Sequence, residues 1–94
     1  KTLEARLVRE IEARGGMALK CTSQYHRGIP DRIVLLPHGL IYFVELKSTG
    51  KKPTKLQTHA LMQLFGLGFS GYVIDSTEDL DKLLASVDWD QKFA

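Results

Sequence analysis

The stretch Gly28 to Lys47, GIPDRIVLLPHGLIYFVELK, constrains this chain more than any other. Two apolar runs, Ile33–Leu36 and Leu40–Leu46, flank Pro37-His38-Gly39. Proline presets φ and glycine tolerates φ > 0, so the pattern predicts a β-hairpin. If the turn is centred on His38, the numbers of paired residues sum to twice that position. Asp31 then lies opposite Glu45, within the roughly 5 Å of directly opposed side chains. Strand side chains alternate with period two, so Lys47 shares a face with Glu45 while Val44 and Leu46 point the other way. Two carboxylates and an ammonium are expected on one face.

Like charges placed opposite each other destabilise a sheet, and two close carboxylates resist joint ionisation unless a cation lies between them. A divalent ion removes the conflict. Two carboxylates, completed by waters and phosphate oxygens, form the hard donor set that Mg²⁺ or Mn²⁺ prefers, and a neighbouring lysine can orient or deprotonate an attacking water. The pattern therefore points to metal-assisted phosphodiester hydrolysis. Taken alone it is equally compatible with Asp31 capping a loop after Pro30, and with Glu45 and Lys47 facing solvent on an amphipathic edge strand.

Around this hairpin, Leu3, Leu7, Val8 and Ile11 recur at helical spacing over residues 2–14, and Gly15-Gly16 supplies the stop. Glu4 falls on that apolar stripe and needs a partner there. Beside Asp31 and Glu45 it would add a ligand or orient a water; otherwise it pairs with a Lys or Arg at the helix edge, or sits near the N-terminal dipole. Residues 17–22 read as a strand, with Met17, Leu19 and Cys21 on one face and Ala18, Lys20 and Thr22 on the other. Lys20 reaches either a phosphate or solvent. In the loop over 23–28, Arg27 suits a phosphate and Tyr25 suits stacking on an unpaired base. His26, His38 and His59 lack the spacing of a His-ligated metal site.

Ser48–Pro53 is a Gly- and Lys-rich connection, expected to be exposed and mobile, from which Lys51, Lys52 and Lys55 would clamp a phosphate backbone. It lacks the framework of a P-loop. Thr54 with Gln57 three residues on is a capping-box pattern, so Gln57 serves the helix start, the site, or both. Leu56, Ala60, Leu61, Leu64 and Phe65 then mark a helix ending near Gly66, and residues 70–75 a strand. A strand, helix, strand order implies a right-handed crossover and parallel pairing with the strand over 40–47. From Ser76 a last helix presents Leu80, Leu83, Leu84 and Val87. Trp89 and Phe93, in a polar tail over 88–94, either close the core or pack on a second subunit.

The chain has 94 residues and a net charge of only +2, but residues 1–55 carry eleven Lys or Arg against five Asp or Glu, and 56–94 carry two against six. A surface polarised in this way fits phosphate binding, although basic residues on helix faces are commonly just solvated. Cys21, as the one cysteine, excludes an internal disulfide and a thiolate metal cluster, and is expected as a half-buried strand residue. No run approaches the roughly 20 apolar residues of a membrane span, and no signal peptide is recognisable. A cytosolic protein without a membrane partner is expected.

The string G-I-P-D at Gly28–Asp31, ahead of E-L-K at Glu45–Lys47, resembles the signature of the PD-(D/E)xK nuclease superfamily, and in particular of its VRR-NUC family. K-T-L-E with Glu4, Gly15-Gly16 followed by Ala18-Leu19-Lys20, Leu56-Gln57 after a basic loop, and G-Y-V-I-D-S at Gly71–Ser76 extend the resemblance over nearly the whole chain. It implies an α/β, restriction-endonuclease-like core of order αβββαβ(α), a mixed sheet flanked by helices, forming one nuclease domain over 1–94. It also implies an endodeoxyribonuclease dependent on Mg²⁺ or Mn²⁺. Glu4, Asp31, Glu45, Lys47 and Gln57 would form its catalytic set, with the metal held by Asp31, Glu45, the Leu46 carbonyl and, as a further candidate, Glu4. Small stand-alone members of phage or bacterial type resemble Holliday-junction resolvases, so branched DNA, a homodimer and the cytoplasm (the host's, for a phage gene) are the expected context. The rival expectations are a non-catalytic DNA-binding module that keeps the fold, and a partner or regulatory subunit.

Overall fold

A computed structural model describes residues 2–22 and 28–94. Helix α1 spans Thr2–Ala13, strand β1 Met17–Lys20, β2 Arg32–Leu36 and β3 Leu40–Leu46. Helix α2 spans Lys55–Gly66, β4 Ser70–Ile74 and α3 Thr77–Phe93. The four strands form one mixed sheet in the order β1-β2-β3-β4, antiparallel in the first two pairings and parallel between β3 and β4. This is the expected α/β architecture. The β2–β3 ladder pairs Arg32 with Val44 and continues to Leu36 with Leu40, so the numbers sum to 76 throughout. The hairpin register is therefore the one that a turn centred on His38 demands. Pro37–Gly39 close it as a single 3-10 turn, in which His38 as well as Gly39 adopts the left-handed region, at φ 70° and 74°. Histidine is among the few residues that enter this region more readily than most.

Alternation along the strands divides the sheet into two faces. Ala18, Val34, Leu36, Tyr42, Val44 and Ile74 pack with Leu7 and Ile11 of α1 and with Leu80, Leu83, Leu84 and Val87 of α3 as the main core. Fully burying each such Leu or Ile contributes about 1.5–3 kcal/mol. The opposite face carries α2, which closes on β4 so tightly that a Cβ on Gly71 would come within 2.9 Å of the Leu61 side chain.

Three sequence expectations change here. Strand β1 ends at Lys20, and Cys21 lies just beyond it, half-buried, its N–H donating to the Asp31 carbonyl at 2.8 Å. Within β1 it is Ala18 that turns inward, under α1, whereas Met17 and Leu19 are 51% and 45% exposed because α2 packs at the far edge of the sheet. Residues 88–93 are no separate tail: α3 continues to Phe93. Trp89 and Phe93 stack on each other with ring centroids 4.7 Å apart and stay largely exposed, so they do not close the core. Asp90 turns inward instead and accepts a hydrogen bond from the Tyr42 hydroxyl at 2.5 Å.

The charge asymmetry is partly consumed within the fold. Arg6 pairs with Asp81, and Arg14 with Asp88 at 2.6 Å and 3.1 Å, tying α1 to α3. Those arginines serve helix packing. Residues 48–51, expected to be mobile, form a turn in which the Lys51 N–H donates to the Ser48 carbonyl at 2.9 Å and the Gly50 N–H to Asp75 at 3.3 Å.

The entry into β2 depends on Gly28, which has φ +82° and lies against the first turn of α2. A Cβ there would stand 2.4 Å from the Leu56 carbonyl oxygen and 2.8 Å from the Gln57 nitrogen, both backbone atoms that cannot give way locally. Gly50 has a similar φ, +79°, but open space around it. In urea titrations Gly50→Ala should therefore lose only the cost of a left-handed alanine, about 1 kcal/mol. Gly28→Ala should lose roughly 3 kcal/mol or more, because it adds a backbone collision.

Candidate active site

The site forms where β2 begins and β3 ends. Asp31 immediately precedes β2, one step beyond the Arg32–Val44 pair, which puts it opposite Glu45. Its Oδ2 accepts the Leu46 N–H at 2.8 Å. Glu45 lies on the α2 face of central strand β3 and is 1% exposed, the one buried charged side chain among the described residues. Burial, and secondarily the neighbouring Asp31, push its pKa above the ordinary carboxylate value. Two partners act on Oε2: the Gln57 amide donates at 2.6 Å, and the Lys47 ammonium lies at 3.4 Å. Oε1 is buried and, among the described residues, has no hydrogen-bond partner.

Gln57 fills both roles that the sequence left open. Thr54 and Gln57 complete the capping box: the Gln57 N–H donates to the Thr54 hydroxyl at 3.2 Å, and the Thr54 N–H donates to Gln57 Oε1 at 2.9 Å. This leaves the NH₂ end of the same amide for Glu45. The amide orientation follows from its partners, since a flipped group would set NH₂ against an N–H and oxygen against a carboxylate. A helix start and a buried acid are thus fixed by one side chain.

On the other side of the sheet end, Glu4 accepts from Arg32 Nε at 3.1 Å and Nη2 at 2.8 Å, both through Oε2, and Arg32 Nη1 donates to the Ala18 carbonyl at 2.8 Å. The hydrogen bonds from Arg32 hold the Glu4 carboxyl below its usual pKa. Glu4, Lys20, Asp31, Leu46 and Lys47 line one open cavity of about 380 Å³. Glu45 lies outside its lining and is reached through Lys47.

The structure thus brings Glu4, Lys20, Asp31, Glu45, Lys47 and Gln57 to one end of the sheet. Lys51 and Lys52 are exposed on the connection that leads into α2, and Lys55 is exposed at its first position. Tyr25 and Arg27, expected as DNA contacts, and His26 with them, lie outside the described residues. Arg32 was missed. Its signal was legible: an arginine directly after Asp31 in a strand must point to the opposite, core-facing side, where it needs an anion, and Glu4 on the stripe of α1 needs a cation. Among the described residues no three His, Cys, Asp or Glu side chains are grouped closely enough to hold a metal. The remaining donor set is two carboxylates with a backbone carbonyl, whose shell waters and phosphate oxygens would complete. That set suits Mg²⁺ or Mn²⁺ better than zinc.

Replacement of Glu45 separates the cost of its charge from its shape. Its folded pKa lies above its unfolded value, so its contribution to stability is fully present below the unfolded pKa and is lost as pH rises through the folded one. Near neutral pH, Glu45→Gln should therefore melt no lower than the wild type. Its advantage should shrink as pH is lowered toward the acid range, as followed by thermal melts across pH. Gln57→Glu should keep the helix start, because a carboxylate still accepts from the Thr54 N–H, but it sets two acids together. A melting temperature lowered by several degrees, with the loss relieved in acid, is the expected result.

Over 86 residues the chain is 45% identical to a protein named "Putative nuclease p44" from Acyrthosiphon pisum secondary endosymbiont phage 1, an alignment that covers 92% of this chain and 91% of that protein. Among solved structures it is similar to a chain described as "VRR_NUC domain", with a TM-score of 0.84 and 30% identity, covering 89% of this chain and 91% of that one. No family model matches the sequence. With two relatives matched along nine-tenths of their own lengths, the chain belongs to the VRR-NUC nuclease family.

Proposed function

We propose that this nuclease is a divalent-metal-dependent endonuclease that hydrolyses phosphodiester bonds of branched DNA. The observation that carries the reading is Glu45: a buried carboxylate facing Asp31, touched by a lysine, with one oxygen that has no partner among the described residues. An unsatisfied buried acceptor costs about 1–3 kcal/mol, so such an arrangement is sustained by something it binds. Asp31, Glu45 and the Leu46 carbonyl would hold Mg²⁺ or Mn²⁺, which supplies Lewis-acid polarisation of the phosphate and neutralises developing charge. Asp31 is preset for this, because the Leu46 N–H fixes its Oδ2. Gln57 keeps Glu45 from rotating.

Lys47 would orient the attacking water, whose proton passes to solvent as its oxygen attacks phosphorus, and its ammonium would offset the charge that develops as the bridging P–O bond breaks and the leaving oxygen takes a proton from solvent. Lys20, at the cavity, Lys51 and Lys52, on the loop that leads from it, and Lys55, at the start of α2, suit the flanking phosphates, with Arg27 and Tyr25 as further contacts. A homodimer would present two such sites to a four-way junction, and the exposed Met17, Leu19, Trp89 and Phe93 are apolar surface available to a second copy.

The test is incubation with a four-way junction, a flap and a linear duplex, each with and without Mg²⁺ or Mn²⁺. Cleavage should require the metal, favour the branched substrates, and fall at least about 1,000-fold in Asp31→Ala, as expected when electrostatic stabilisation at the reacting centre is lost. Inertness on all three substrates would remove the catalytic reading, and salt-dependent binding without product would leave a DNA-binding module.

A further inference from the structure

We propose that Arg32 is a positioning residue of this site, clamping the Glu4 carboxylate at the rim of the cavity so that Glu4 acts on a metal ion through water and not as a direct ligand. The proposal rests on the metal-dependent reading above. Arg32 adjoins Asp31 in the chain, and strand alternation sends its side chain to the opposite face, where it links three elements. Nε and Nη2 reach Glu4 on α1, and Nη1 reaches the Ala18 carbonyl on β1. The Arg32 side chain is 16% exposed and that of Glu4 34%, so the pair is sheltered at the edge of solvent.

Three considerations keep Glu4 out of direct coordination. A Mg²⁺ ligand must offer an oxygen at about 2.0–2.1 Å in near-octahedral geometry, whereas Glu4 Oε2 already accepts two charge-assisted hydrogen bonds, which leaves only Oε1, its place fixed by the same clamp. A guanidinium in contact with that oxygen repels an approaching cation, and Lys20 adds positive charge on the same side. Finally, the charge of Glu4 is compensated by Arg32, while Glu45 and Asp31 confront each other with Lys47 set against Glu45. A cation gains most at the uncompensated pair. Arginine is required for the clamp, because its planar fork spans the carboxylate and the Ala18 carbonyl together, whereas lysine offers a point charge.

Calorimetric titration of Mn²⁺, without DNA, into the wild type, Asp31→Asn, Glu4→Gln, Arg32→Lys and the Glu4→Gln/Arg32→Lys double variant tests this, with a thermal melt of each. The wild type should bind one ion per chain, and Asp31→Asn should lose detectable binding. Glu4→Gln and Arg32→Lys should each weaken Mn²⁺ by roughly 10–100-fold, the usual cost of losing a group that orients a coordination shell, without changing the stoichiometry. The double variant should be no weaker than the weaker single one, since both changes break one device. Loss of an ion from the stoichiometry in Glu4→Gln would make Glu4 a direct ligand and overturn the proposal. So would losses that multiply in the double variant, or an Arg32→Lys that melts lower yet binds Mn²⁺ unchanged, which is what a purely structural ion pair predicts. A wild type that binds no Mn²⁺ would remove the metal reading and this inference together, whereas binding with uncoupled variants would remove only the inference.

Discussion

The burial of the Glu45 carboxylate is the interaction on which the rest of the site depends. At 1% exposure an acid on a central strand has lost most of its hydration, and its raised pKa is the direct sign of that loss. The surrounding groups are arranged to limit the cost. Lys47 approaches from the same strand face, Gln57 donates from the first turn of α2, and the other oxygen, buried, has no partner among the described residues. A stability-driven fold would place an apolar side chain here, since well-packed hydrophobic residues commonly match or exceed buried ionic groups. The acid sits where it costs most, beside a cavity lined by Asp31 and Lys47, the arrangement that the proposed reading puts to chemical use.

Position follows from the hairpin. The three-residue turn fixes the β2–β3 register, and a slip of one residue would send Asp31 and Glu45 to opposite faces. The second constraint comes from α2, whose first turn rests on Gly28 at backbone contact while Gln57 reaches Glu45. Gly28 leads into Asp31 and Gln57 touches Glu45, so one close approach sets the loop before the first acid against the helix that steadies the second. Precision here arises from backbone packing and a capping box, features that also stabilise the fold.

Much of this was legible in the sequence, because it depends on local rules. Pro37-His38-Gly39 set the register, period-two alternation placed Lys47 beside Glu45, and Thr54 with Gln57 announced the helix start. What was not legible depended on which elements cover which. Met17 and Leu19 look like inward residues until α2 is seen to pack at the far edge of the sheet, leaving the Ala18 face to α1. Trp89 and Phe93 look like core anchors, but the face of α3 that meets the sheet is set by Leu80, Leu83, Leu84 and Val87. Arg6 and Arg14 count toward a basic half of the chain, yet their partners lie some seventy-five residues away in α3. Net charge along a sequence cannot distinguish a phosphate-binding surface from two helices that neutralise each other.

That distinction narrows where a polyanion can be received. With Arg6, Arg14 and Arg32 engaged by carboxylates, the cations near the sheet end with no carboxylate engaged among the described residues are Lys20 at the cavity, Lys51 and Lys52 on the loop before α2, and Lys55 at its start. They lie on either side of Lys47. The loop that bears Lys51 is held by Asp75 at the end of β4, next to the strand that carries Glu45, so its lysines are placed relative to the acids by the sheet itself. Under the proposed reading, a phosphate backbone running from Lys20 to that loop would cross the cavity that Asp31 and Lys47 line. The parallel pairing of β3 with β4, and the hairpin that precedes it, set these cations and acids along one end of the sheet.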